Sequence, residues 1–178
     1  MRCILIIGLF LFHSLGFAQQ YASTKSKVTF FSEALIEDIT ATNDKSRSVI
    51  DTSTGKIAFS IPIKDFKFRK SLMQEHFNDK YLESDKFPRS TFSANLIDFE
   101  NGKNYEGIIA EGDFEIHGVK KKVQIPGSIE YKGGKMIIHS VFTILIADYD
   151  IKIPRLMFQN IAEEIEITID FEYDTNEN

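Results

Sequence analysis

The stretch EIEITIDFEY, residues 164–173, alternates apolar and polar side chains along its whole length. The apolar positions are Ile165, Ile167, Ile169, Phe171 and Tyr173. Because successive side chains of a β-strand point to opposite faces, a strict period of two places one face in a core and the other in water. The stretch therefore predicts a strand with one buried face.

Two further runs repeat this pattern. The run KIAFSIPIK, residues 56–64, and the run KVQIPGSIEY, residues 122–131, each place their apolar side chains on one face. These side chains are Ile57, Phe59, Ile61 and Ile63 in the first run, and Val123, Ile125, Ile129 and Tyr131, with Gly127, in the second. Strands are predicted to dominate the chain.

Short turn signals separate the alternating runs. They are Thr54-Gly55, Asn101-Gly102, His117-Gly118 and Gly133-Gly134. Such pairs supply the positive φ angles that two-residue hairpins require. Consecutive strands are therefore expected to pair antiparallel as a meander, from about Phe92 to about Ile146.

Helical periodicity is confined to residues 70–77 and 147–158, each long enough for a turn or two. The predicted fold class is thus all-β, with about eight antiparallel strands and one or two short helical turns. Such strands either pack as a sandwich or close into a barrel. Short connections and a face rich in large aromatic side chains favour the barrel.

The N-terminus has the layout of a secretory signal peptide. Residues 1–18, MRCILIIGLFLFHSLGFA, combine Arg2, an apolar run at 4–12, and a small residue at Ala18. The apolar run is too short for a membrane anchor, which needs about 20 residues. We expect cleavage after Ala18 or Gln19, a single domain over 19–178, and export to a periplasm or the medium. Cys3, the only cysteine, lies in the leader, so no disulfide is expected in the mature chain.

Charge and spacing exclude several function classes. The formal net charge of −5 disfavours nucleic-acid binding, which calls for a basic surplus. No segment after the leader is apolar enough to span a bilayer. His76, His117 and His139 lack the spacing of metal ligands, and no nucleophile elbow or phosphate-binding glycine loop is present. We therefore expect no catalytic residue, metal or cofactor.

The stretch EHFNDKYLESDKFPRSTF, residues 75–92, interrupts the alternation. Pro88 forces Phe87 into an extended conformation, so a preceding helical turn must end before it and a strand can begin near Ser90. Leu72, Met73, His76 and Phe77 have helical spacing, which predicts an apolar side over one end of the barrel. This turn either closes a binding cavity or simply plugs the barrel.

Two motifs carry a family resemblance. The first comprises His76, Phe77, Phe87, Pro88, Thr91 and Phe92, and the second Gly112, Asp113, Phe114, Gly118, Val119 and Lys120. Together they resemble the YceI-like family of exported lipid-binding proteins, over about residues 26–173. The resemblance implies an extended, lipocalin-like barrel that holds a long amphipathic isoprenoid or similar lipid, such as a quinone. It also implies that catalytic residues are absent.

The alternation and the resemblance together predict a ligand site inside the barrel. Its expected residues are Phe59, Ile61, Phe68, Leu72, Met73, His76, Phe77, Phe92, Phe114, Phe142 and Phe171. In FKFRK, residues 66–70, the two Phe side chains point opposite to Lys67 and Arg69, so Lys67, Arg69 or Lys70 could meet an anionic head group. Lys120, Lys121 and Lys122 are interpreted as a solvated hairpin stem.

Three functions remain open at this point. The leading hypothesis is a non-enzymatic carrier of a hydrophobic or amphipathic small molecule. The alternatives are an enzyme acting on an envelope lipid, with His76 near Glu75 and Asp79, and a solidly packed barrel that binds proteins on its outer face. The oligomeric state is left open, and a dimer is compatible with the sequence.

Overall fold

The computed structural model describes residues 19–33, 38–153 and 162–175. The predicted leader, residues 1–18, lies outside these ranges, as do residues 154–158 of the second predicted helical turn. Within them the strands are β1 Gln20–Ser32, β2 Ile39–Asn43, β3 Arg47–Asp51, β4 Lys56–Pro62, β5 Lys67–Phe68, β6 Arg89–Leu96, β7 Tyr105–Ile116, β8 Val119–Lys132, β9 Lys135–Leu145 and β10 Glu164–Asp174. The α-helix α1 spans Ser71–His76 and continues as a wider π-type turn over Phe77–Tyr81; short 3₁₀ turns lie at Ile63–Asp65 and Ile146–Tyr149.

Eight of these strands close into an antiparallel barrel, as predicted. Strands β6 to β10 form a meander, β4 joins β6 to β3, and β1 pairs with both β3 and β10. The seam between β1 and β10 runs from Ser23 opposite Tyr173 to Phe31 opposite Glu166. Strand β2 pairs with the second half of β1, and the short β5 pairs with β2. The ring has no free sheet edge between β1 and β10.

The predicted turns have the backbone angles that hairpins need. The φ angle is 71° at Gly55, 81° at Gly102 and 75° at Gly118. His117, which precedes Gly118, is also in the left-handed region at 53°. Its prediction as a turn residue is confirmed.

Strands β6 and β7 approach each other very closely at Gly112. A Cβ atom built at this position would lie 2.1 Å from the main-chain oxygen of Ser93 and 2.5 Å from the Cα of Ala94. At Gly107, on the same strand, an added Cβ would have no atom within 4 Å outside its own and the two adjacent residues. Only hydrogen fits at Gly112, whereas a methyl group fits at Gly107.

One end of the barrel is filled by side chains of β9 and β10. Met136 and Tyr173 have no exposed surface, Phe171 is 1 % exposed, and we call these three residues the floor. Tyr173 lies opposite Met136, and Phe171 opposite Ile138, across the β9–β10 ladder. The hydroxyl of Tyr173 donates a hydrogen bond of 2.6 Å to Oγ of Ser48 on β3. The floor thus ties β10 to β3, the two strands that flank β1 in the ring.

Tyr173→Phe tests the polar contact in the floor. Ser48 Oγ still donates to the main-chain oxygen of Ala58, so the variant should lose about 1 kcal/mol of stability at pH 7. Burial raises the pKa of Tyr173 above its ordinary value of 10. Below pH 10 the Tyr173 phenol is neutral in both the folded and the unfolded chain, so the free energy of unfolding is unaffected by its ionisation. As the pH rises from 10 toward the folded-state pKa, only the unfolded chain ionises, and the folded protein loses stability. Urea titrations at pH 7 and 10.5 should show a smaller alkaline loss in Y173F; equal losses would contradict this assignment.

Candidate functional site

A cavity of ≈ 380 Å³ occupies the barrel between the floor and α1. Its wall is apolar and comes from strands on every side of the barrel. The lining residues are Val28, Phe30, Ser32, Ile39, Ile57, Phe59, Ile61, Ile63, Phe66, Phe68, Met73, His76, Phe77, Tyr81, Leu82, Ser90, Phe92, Leu96, Ile108, Ala110, Phe114, Ile116, Ile125, Pro126, Gly127, Ser128, Ile129, Ile138, Ser140, Phe142, Ile144, Ile146, Ile151, Ile153, Ile165, Ile167 and Ile169. The cavity matches the lower part of the range of about 300–1,000 Å³ that small-molecule sites occupy.

Most of the residues predicted for the ligand site line this cavity. They are Phe59, Ile61, Phe68, Met73, His76, Phe77, Phe92, Phe114 and Phe142. Their contact with a ligand stays a prediction. The structure nevertheless brings them from β4, β5, β6, β7, β9 and α1 to one surface.

Leu72 and Phe171 do not line the cavity. Leu72 is 61 % exposed, because the side of α1 that faces the barrel is the narrower i, i+3, i+4 stripe of Met73, His76 and Phe77. Phe171 does point inward, but it is buried in the floor with its ring 5.0 Å from that of Phe59. The predicted inward face of Phe171 is correct, but the residue lies in the floor and not in the cavity wall, where it was predicted.

A line of aromatic rings runs up one wall. Phe59, Phe92 and Phe114 are direct cross-strand neighbours on β4, β6 and β7. Ring centroids are 6.2 Å apart for Phe59 and Phe92 and 6.3 Å apart for Phe92 and Phe114, and Phe114 lies 5.5 Å from Tyr149. Phe59 also contacts Phe171 of the floor, so the three rings form one apolar surface above it.

The mouth is framed by a second aromatic cluster. Phe30 lies 5.6 Å from Phe66, 5.4 Å from Phe68 and 5.4 Å from Phe77, measured between ring centroids. Phe66 and Phe68 share the inward face, as predicted. Phe30 was missed, because β1, QYASTKSKVTFFS, lacks a clean alternation and ends in two adjacent Phe residues.

Three of the four serine side chains that line the cavity are hydrogen-bonded to the main chain. Ser90 Oγ donates to the main-chain oxygen of Glu115 at 2.8 Å, and Ser140 Oγ to that of Pro126 at 2.6 Å. Ser32 Oγ accepts a hydrogen bond from the amide of Ala162. Burial raises the pKa of the Tyr81 phenol above its ordinary value. The cavity surface thus favours uncharged, apolar groups.

Interactions around His117 hold the segment before Pro88 against the barrel. Nδ1 of His117 donates to the main-chain oxygen of Tyr149 at 3.1 Å, and Nε2 lies 2.9 Å from Oε2 of Glu83. The ring of Phe87 packs 4.6 Å from the imidazole. We call Glu83, His117 and Tyr149 the clasp. The sequence held no signal for it, since its members come from three separate turns.

The basic groups considered from the sequence lie outside the cavity. Lys67 Nζ is 3.0 Å from Oδ2 of Asp44, whose pKa this lysine lowers, while Arg69 and Lys70 are exposed. Lys120, Lys121 and Lys122 pair with Glu115, Asp148 and Asp113, which fits a solvated hairpin stem. None of these six cations lines the cavity.

The described part of the chain contains no group of three or more His, Cys, Asp or Glu residues arranged to hold a metal ion. No helix in those ranges combines the length and the apolar character needed to traverse a bilayer. His139 lies on the outer side of β9, 2.8 Å from Oδ1 of Asp170. Glu75 and Asp79, which flank His76 in sequence, are exposed.

Comparison with solved structures shows the same fold in proteins of low sequence identity. BcnA of Burkholderia cenocepacia superimposes with a TM-score of 0.71 at 16 % identity, covering 83 % of this chain and 95 % of its own. A polyisoprenoid-binding domain of Saccharophagus degradans, implicated in plant cell wall breakdown, gives 0.75 at 14 % identity, covering 88 % and 98 %. The YCEI protein of Campylobacter jejuni gives 0.58 at 15 % identity, covering 99 % and 91 %.

The match to a family model is more specific than the likeness to these solved structures. No curated protein sequence matches the chain. The family model described as the YceI-like domain matches residues 20–173, which comprise every strand of the barrel except the last residue of β10. The chain therefore belongs to the YceI-like family.

Proposed function

We propose that this protein is an exported, non-enzymatic carrier that holds the apolar tail of one amphipathic lipid inside its barrel. The observation that carries the proposal is the cavity of ≈ 380 Å³ with its apolar wall. Burying a methylene group contributes about 0.8 kcal/mol to the binding free energy. A lipid tail that fills this apolar cavity therefore binds tightly without any charged contact. A polyisoprenoid or quinone-like lipid is the ligand class we favour, and the polyisoprenoid-binding domain with the same fold supports this choice.

The geometry favours a carrier over the two alternatives. An enzyme needs a polar pair at the reacting group, yet Ser32, Ser90 and Ser140 are engaged with the main chain. His76 lines the mouth, while Glu75 and Asp79 face solvent. A solidly packed barrel would have no cavity above the floor.

Export is part of the proposal because of residues 1–18. We expect the exported form to begin at Gln19 or Gln20, which N-terminal sequencing would show. Retention of Met1 on the exported protein would contradict this part of the proposal and leave lipid binding untouched.

Native mass spectrometry of gently purified protein tests lipid binding directly. We expect a population heavier than the bare chain by the mass of one lipid, and loss of that mass under denaturing conditions. The loaded protein should also unfold at a higher temperature than the extracted one, since a ligand at 100 times its dissociation constant adds about 2.7 kcal/mol. A protein that carries no added mass and shows no stabilisation by any lipid extract would contradict the carrier function.

A further inference from the structure

The cavity ends at a definite depth on three adjacent strands. On β10, Ile165, Ile167 and Ile169 line it, whereas Phe171 and Tyr173 on the same face do not. On β9 the lining stops at Ile138 and excludes Met136. On β8 it stops at Ile129 and excludes Tyr131.

The residues beyond this boundary form a continuous row. Tyr131 lies opposite Met136 on the β8–β9 ladder, and Met136 lies opposite Tyr173 on the β9–β10 ladder. The row is fixed on its far side by the hydrogen bond from Tyr173 to Ser48. Because Met136, Phe171 and Tyr173 are fully buried, a ligand tail cannot pass them without displacing core side chains.

The height of the cavity above the floor sets the length of ligand tail that fits inside it. On β9 the lining runs from Ile138 to Ile144, which is about 20 Å along the strand. A barrel tilt of 35–45° reduces this to about 15 Å along the axis. An extended chain advances about 3.3–3.6 Å over three bonds, so 15–20 Å accommodates about 13–17 bonds.

We propose that the floor sets a ceiling on ligand length, with Met136 and Phe171 as the residues that determine it. The preferred ligand is then an amphiphile with a single apolar tail of about 13–17 chain bonds, and the remainder of any longer tail stays outside the barrel. This inference rests on the proposed lipid-carrier function.

Competition among fatty acids tests the ceiling. Protein stripped of lipid is incubated with an equimolar mixture of straight-chain fatty acids of 10 to 22 carbons, and native mass spectrometry measures the share of each bound species. Affinity should rise about fourfold for each added methylene while the tail is still entering the cavity. It should level off at about 14–18 carbons, because further methylenes remain in water.

Two floor variants should move that plateau. Phe171→Leu and Met136→Val each shorten a floor side chain, and each should shift the plateau to longer acids by two or more carbons. Val141→Ala is the matched control, since Val141 is 44 % exposed on the outer side of β9 and its plateau should not move. Circular dichroism identifies which floor variants are folded. The wild-type competition tests the length ceiling even if neither variant folds.

The outcomes separate the two proposals. A wild-type affinity that keeps rising to 22 carbons overturns the ceiling while the carrier function stands. A plateau that stays in place in the folded floor variants shows that these residues do not set it. Absence of bound fatty acid at every length, with no lipid retained from purification, overturns the carrier function and the ceiling together.

Discussion

Phe114→Arg is expected to reduce lipid binding at least 100-fold. Phe114 is 5 % exposed in the wall, with its ring centroid 6.3 Å from that of Phe92 and 6.2 Å from that of Phe142. A guanidinium placed there either enters the apolar cavity or displaces these rings, and burying an unpaired charge costs several kcal/mol. About 3 kcal/mol corresponds to a loss of roughly two orders of magnitude in affinity. Titration of both proteins with a fatty acid of 16 carbons measures this loss of affinity.

Val141→Arg is the control for this charge. It introduces the same group on the outer face of β9, where binding should remain within about twofold of the wild type, because exposed substitutions rarely exceed 0.5 kcal/mol. Equal losses in both variants would show that the effect is not specific to the cavity.

Phe114→Ala separates a cavity wall from a solid core. Truncating a buried Phe in a packed core costs about 3–5 kcal/mol because it leaves a void. Next to an existing cavity the loss in lipid-free protein should be smaller, and most of the effect should appear as weaker binding. If F114A unfolds the lipid-free protein and the wild type carries no lipid, the barrel is a packed one.

Gly112→Ala is expected to destabilise the barrel by more than about 3 kcal/mol. The added methyl group would meet main-chain atoms of Ser93 and Ala94, which cannot rotate away as a side chain can. Overpacking normally costs about 1–3 kcal/mol. A Cβ 2.1 Å from a main-chain oxygen is a more severe clash than those substitutions create, so the expected loss is larger. Urea unfolding followed by circular dichroism measures the change.

Gly107→Ala should have the opposite sign. The site has room for a methyl group, and loss of a glycine from the unfolded chain stabilises by about 0.4–1 kcal/mol. Two variants of the same chemistry on the same strand should therefore differ by several kcal/mol. A difference below about 1 kcal/mol would mean that β6 and β7 are not in this close contact.

The strands and their inward faces could be predicted wherever one face is wet. In β10 the polar residues Glu166 and Thr168 between Ile165, Ile167 and Ile169 make the period of two unmistakable, and the structure confirms this face. In β1 the adjacent residues Phe30 and Phe31 hide the period, so a major side chain of the mouth was missed. Periodicity reports the face of a residue, and only where the opposite face is polar.

Depth and helix rotation could not be predicted in the same way. Phe171 and Ile169 share a face, but only the three-dimensional stagger of β9 against β10 shows that one is floor and the other wall. Leu72 and Met73 are both apolar, and the docking of α1 decides which of them turns inward. The clasp at His117 depends on the approach of distant turns, which local patterns do not encode.

The seam between β1 and β10 has a consequence for how this chain folds. Its contacts join residues such as Ser23 and Tyr173, at opposite ends of the sequence, whereas the β6–β10 meander is built from neighbours. Closing so long a loop costs entropy that hairpins do not incur, and such non-local pairings slow folding. We expect the meander to form first and β1 to dock last, so that the ring closes only once the C-terminal strand has been synthesised. A chain that ends before β10 would leave β1 and β9 with open edges, each ready to pair with another copy.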